Sequence, residues 1–114
     1  MNDNKLVTLS TEFAVKILAF TGKINGHSAL TNQLERSGTS IGANIREANY
    51  AHGKADFVAK LQISLKECYE TEYWIEIFKS SKLASEEDST ALLHDCGVIR
   101  KMLITSINTA KKST

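Results

Sequence analysis

The residues most suggestive of chemistry lie in one run, Gly38-Thr39-Ser40-Ile41-Gly42, which has the G-x-S-x-G spacing of a serine nucleophile elbow. In that motif the glycines let a strand turn sharply into a helix, so that the serine hydroxyl stands clear of a sheet and attacks an acyl carbon. Here the flanks carry helical periodicity, and 114 residues are too few for the fold that surrounds such an elbow. Nor is the run a phosphate loop, because Gly42 is followed by Ala43 and Asn44 where Lys and Ser or Thr would hold phosphate and magnesium. Gly38 and Gly42 are one helical turn apart, which points to close packing of a helix by Ser37, Gly38, Ile41 and Gly42.

Metal chemistry finds no better support. A paired-metal carboxylate centre in a bundle needs Glu-x-x-His on two helices, and none of His27, His52 and His94 has Glu three residues before it. His94-x-Cys96 has no second pair to complete the four ligands of a zinc site. Cys68 and Cys96 form no C-x-x-C motif, and two cysteines make no disulfide framework. The expectation is a chain that is not an enzyme, with no catalytic residues, no metal ligands and no cofactor.

Two charged groups offer binding or positioning instead. Arg36, Asn44, Arg46, Glu47 and Glu67 lie at or beside helix seams, where burial is costly unless polar groups pair. They suggest a polar network that fixes helix register or subunit orientation, as buried Asn does in coiled coils. Arg100, Lys101, Lys111 and Lys112, joined by Lys16 and Lys23, form the candidate nucleic-acid patch. Aromatic side chains beside it are sparse, so base stacking is not indicated and binding would be to phosphates, with a strong dependence on salt. Repetition of the patch around a ring of subunits would turn a modest charge into a strong local field.

The elements that must position these residues are helices. From Ser10, read as an N-cap, Phe13, Ile17, Phe20 and Ile24 mark a first amphipathic helix over about 10–25. Asn25-Gly26 ends it, and Ser28 caps a second helix over about 29–52, whose seam is Leu30, Leu34, Ser37, Ile41, Asn44 and Ala48. After Gly53 a third helix runs over about 55–80 on Phe57, Leu61, Ser64, Cys68, Thr71, Ile75 and Phe78. The fourth, over about 85–111, opens with Ser85 and Asp88 in capping-box spacing and carries Leu92, Cys96, Ile99, Leu103, Ser106 and Ala110. Met1–Thr8 and Ser113–Thr114 are expected to lie outside the helices. Four helices, short turns and no strand-period segment predict a single all-α domain, an antiparallel four-helix bundle with up-down-up-down order.

The third helix has a second apolar strip, Ile63, Trp74 and Ile77, interrupted by Glu67 and Glu70. A helix apolar on more than one face is central in its bundle or meets another subunit or a partner protein.

Bulk properties agree with this outline. Lys and Arg number 14 against 13 Asp and Glu, so no overall basicity advertises nucleic acid, and the absence of Pro favours long helices. The N-terminus lacks the pattern of a secretory signal and no apolar run reaches membrane-spanning length, which predicts a cytoplasmic protein with no membrane partner.

Gln33-Leu34, the run from Arg36 to Ala48, Asp56-Phe57, Lys60-Leu61, Ser64-Leu65-Lys66-Glu67, Glu70-Thr71 and Tyr73-Trp74 resemble the bacterial four-helix bundle proteins encoded in intervening sequences of large-subunit ribosomal RNA genes. The match covers the second and third helices, and the other two support it through their pattern alone. This resemblance implies a homo-oligomer, a pentameric ring, related to the accessory variability protein of diversity-generating retroelements, which binds nucleic acid and a reverse transcriptase. The function it suggests is a non-enzymatic bundle that binds RNA or DNA backbone. The alternative is a protein-interaction scaffold that engages a partner protein through Ile63, Trp74 and Ile77 and binds no nucleic acid.

Overall fold

The computed structural model describes residues 4–113, which form α1 (Asn4–Gly22), α2 (Ser28–Asn49), α3 (Lys54–Ser80) and α4 (Glu86–Lys112), with no strand among the described residues. Each helix runs antiparallel to the next, and the body they make is 49 Å long and about 20 Å across. Seen down the axis, α1 touches α2 and α4, and α3 touches the same two. The molecule is an all-α four-helix bundle, and α3 stands at a corner of it, so its outer apolar strip is not covered by a central position.

The third helix shows how pattern becomes packing. All seven residues of its four-three seam are buried, with Val58 beside them. In α2 the buried set is Leu34, Ser37, Gly38, Ile41, Gly42, Ile45 and Ala48. The helix is rotated toward its glycines relative to the expected seam, which leaves Asn44 half-buried at the edge and brings Ile45 into the core. A Cβ on Gly38 would lie 3.0 Å from the Ile17 side chain, and one on Gly42 would lie 3.1 Å from the Ser10 hydroxyl. An interior glycine costs a helix about 1 kcal/mol relative to alanine. Here that cost is offset by the close approach of α1.

Ser10 explains why α1 begins at Asn4 and not near residue 10. Leu6 is fully buried one turn before it, so Leu6, Ser10, Phe13, Ile17 and Phe20 make one continuous seam. The Ser10 hydroxyl bonds back to the Val7 carbonyl at 3.2 Å as a buried helical residue, not as a cap. Of the expected irregular N-terminal segment, 4–8 is helical, and Met1–Asp3, with Thr114 at the other end, lies outside the described residues. In α4 Ile107 takes the core place expected for Ser106, because residue 107 lies on the side that faces inward and Ser106 is half-buried.

Connections are tight. Gly26 (φ +78°) and His27 (φ +56°) take left-handed conformations before α2, so His27 occupies the cap position and Ser28 is already helical. Gly53 (φ +112°) makes the turn into α3. Ser85 caps α4 as its spacing predicts, its hydroxyl accepting the Asp88 N–H at 3.1 Å. Phe20 and Phe78 meet edge to face across the core with centroids 6.1 Å apart. Each buried hydroxyl has a partner, and no buried side-chain N or O among the described residues lacks one.

Candidate functional site

Helix packing decides what the nucleophile-like run can do. Residues 38–42 lie in the uninterrupted middle of α2, with no strand entering them. The Ser40 hydroxyl donates to the Arg36 carbonyl of its own helix at 2.6 Å. Gly38 and Gly42 face α1, and Ser37 accepts a hydrogen bond from Thr71 of α3 at 2.9 Å. Among the described residues, no three His, Cys, Asp or Glu side chains gather closely enough to hold a metal ion.

The five residues expected to form one polar network make separate links. Arg36 reaches from α2 to Glu67 at 3.4 Å and, more tightly, to Glu70 of α3. Glu70 also accepts the Trp74 indole N–H at 3.1 Å, so Arg36 first and Trp74 second hold its carboxyl below the usual range. Glu47 pairs with Lys60 at 3.0 Å, while Arg46 turns the other way and donates to Thr11 of α1 at 3.1 Å. Asn44 donates to the Ser40 carbonyl of its own helix at 2.9 Å, so it crosses to no neighbour through that amide. Glu70, Lys60 and Thr11 are the partners that sequence reasoning missed. Only Glu70 had a signal, as an acid interrupting an apolar strip.

On the outer edge of α3, Ile63 is 42% exposed while Trp74 and Ile77 are half-buried. Tyr73, 56% exposed, packs edge to face on Trp74 with centroids 5.0 Å apart. Tyr69 and, on α1, Val15 and Leu18 are further exposed apolar groups that the strip did not include.

The candidate phosphate-binding cations divide into two sets. Lys16 pairs with Asp95 at 2.9 Å and Lys23 with Asp88 at 3.0 Å, both across the α1–α4 seam. They rim a groove of about 240 Å³ lined also by Ala19, Phe20, Ala91 and Leu92. Arg100 donates to Glu72 at 3.1 Å and lies over the Tyr69 ring at 5.8 Å. Lys101, Lys111 and Lys112, by contrast, are exposed and take part in no ion pair among the described residues.

Antiparallel order then adds what the linear sequence hides. The end of the bundle where α1 and α3 start is also where α2 and α4 finish. In the outermost seven residues of each helix there, with the α2–α3 connection, Lys5, Arg46, Lys54, Lys60, Lys111 and Lys112 face only Glu47 and Asp56. The same count at the opposite end gives Lys16, Lys23, Lys79 and Lys82 against Glu76, Glu86, Glu87 and Asp88. A formal charge of +1 therefore conceals one basic end and one balanced end. Among the described residues, no helix is long and apolar enough to cross a membrane.

With this geometry in view, the comparisons with known proteins are specific. Residues 2–105 match the 23S rRNA-intervening sequence protein family. The fold also matches the crystal structure of a protein of unknown function from the S23 ribosomal protein family of Bacteroides thetaiotaomicron VPI-5482, at 42% identity and a TM-score of 0.85, over 90% of this chain and 97% of that one. No curated protein matches the chain. The chain belongs to the 23S rRNA-intervening sequence protein family.

Proposed function

We propose that this chain is a non-enzymatic, cytoplasmic homo-oligomer, a pentameric ring of bundles, that holds RNA or DNA by its phosphate backbone through the basic end. The observation that carries this reading is the convergence of Lys5, Lys54, Lys111 and Lys112 from three helices at one end, none in an ion pair among the described residues. An unpaired ammonium keeps its full charge for a phosphate, whereas Lys16, Lys23 and Arg100 would first have to give up a carboxylate. Side-by-side subunits with parallel axes would bring the basic ends to one face and add their fields. The family's name, which refers to ribosomal RNA, makes RNA the first ligand to try.

The band of exposed Ile63 and Tyr73 with half-buried Trp74 supports a second reading, a scaffold that binds a partner protein and no nucleic acid. One set of measurements separates the two. Light scattering on the wild type and Trp74→Ala reads assembly, and filter binding of duplex RNA at low and moderate salt reads the basic end. The first reading expects an oligomer whose RNA affinity falls steeply with salt. It also expects the Lys54→Glu, Lys111→Glu, Lys112→Glu triple variant to lower the salt slope by about three for each subunit engaged. Lys79→Glu with Lys82→Glu, at the other end, should leave binding nearly unchanged. A monomeric wild type, or binding indifferent to the triple variant, would sink the ring-and-backbone reading.

A further inference from the structure

The chain's two cysteines, Cys68 and Cys96, are 28 residues apart and take no part in the proposed binding surface. The bundle brings them together in one layer between α3 and α4. Both are fully buried, and the Cys96 thiol donates to the Cys68 carbonyl at 3.6 Å. Its contact with the Cys68 thiol, and after that its burial, push Cys96 well above the ordinary thiol range, so Cys96 rests as the thiol. Glu72 and Arg100, each one helical turn from one of the cysteines, form an ion pair beside them.

We propose that Cys68 and Cys96 form an oxidant-modifiable dithiol that closes to an intramolecular disulfide and staples α3 to α4 near mid-length. The oxidant is hydrogen peroxide. One sulfur, as thiolate, attacks a peroxide oxygen; the O–O bond breaks, a sulfenic acid forms and the other oxygen leaves as hydroxide, which takes up the proton that the thiol released. The second sulfur then attacks the sulfenic sulfur, the S–O bond breaks, and the hydroxyl leaves with the second thiol's proton as water. In sum, two protons and two electrons leave the protein and one hydrogen peroxide becomes two waters.

Burial decides the product. A sulfenic acid formed in this layer has the other core cysteine as its neighbouring thiol, while glutathione or a second copy of the chain would have to enter the core. Burial also sets the pace, because peroxide reaches the sulfurs when the α3–α4 layer opens locally. Closure is therefore expected to be slower than oxidation of an exposed thiol.

The test is peroxide treatment of the folded wild type, quenching, and mass spectrometry of the denatured chain without reductant. The expected result is a chain lighter by two hydrogens, loss of both titratable thiols, a Cys68–Cys96 peptide link, no covalent dimer, and recovery of both thiols with dithiothreitol. Cys96→Ala and Cys68→Ala, checked by circular dichroism, should each give no such link. Two thiols still free after prolonged exposure, addition of oxygen without a link, or a link between chains would each overturn the proposal.

Discussion

Between α2 and α3, hydroxyl groups cross a buried layer: Ser64 donates to the Ile41 carbonyl at 2.8 Å, and Thr71 to Ser37 at 2.9 Å. Between α1 and α4 the polar links lie at the surface, where Lys16 meets Asp95 and Lys23 meets Asp88 along the rim of an open groove. The two arrangements differ in what they specify. A buried hydroxyl is satisfied at one register and left costly at any other, so it selects a single alignment of its helices. A pair of flexible, hydrated side chains tolerates a shift, is screened by salt and adds at most about 1 kcal/mol. The same bundle thus has a seam that fixes geometry and a seam that merely holds.

Forcing the tight side of the molecule apart should have the largest effect. In Gly38→Leu the new side chain starts 3.0 Å from Ile17, and overpacking of this kind costs about 3 kcal/mol. Thermal melts should show that loss, while Gly97→Ala, whose Cβ meets only the flexible end of Arg100, should gain up to about 1 kcal/mol from helix propensity. If Gly38→Leu melts like the wild type, α1 and α2 are not closely packed in solution.

Thr71→Val probes the buried hydroxyl directly. Ser37 keeps its bond to the Leu34 carbonyl at 3.3 Å, so the expected loss is the net worth of one buried hydrogen bond, about 1 kcal/mol, unchanged by salt. Urea unfolding at two ionic strengths would read it.

Asp95→Asn should cost least, about 0.5 kcal/mol at low salt and nothing measurable at high salt. Acid sharpens the contrast between the seams. Lys23 lowers the Asp88 carboxyl on one seam, and Arg36 lowers Glu70 on the other. Both folded-state values lie below the unfolded ones, so their stabilisation is complete above about pH 4 to 5 and is lost as pH falls through the folded values. Urea midpoints followed into acid should show the Asp88 contribution fading in high salt, and that of Glu70 falling only to the share that its Trp74 hydrogen bond supplies. Equal salt sensitivity of the two would remove the distinction.

Much of this was readable in the linear chain, and what was missed has a common cause. The α3 seam is a local property of spacing, and all seven of its residues are in the core. Ser10 misled because a serine before an apolar run looks like a cap; only the burial of Leu6 beyond it reveals that the helix continues. Ile107 displaced Ser106, and Ile45 with the glycines displaced Asn44, because a helix turns its widest contact toward its neighbours and not toward an ideal heptad. The pairing of Lys16 with Asp95, the meeting of Cys68 with Cys96 and the gathering of lysines at one end depend on the register between helices far apart in sequence. No local pattern encodes that register.

Sequence separation across the two seams also bears on the order in which the bundle assembles. The hydrogen bonds and ion pairs between α2 and α3 span 13 to 34 residues, whereas those between α1 and α4 span 65 and 79. Closing a longer loop costs more chain entropy before any contact compensates it, and short-range contacts form fastest. The α1–α4 groove is thus the place where the chain closes last.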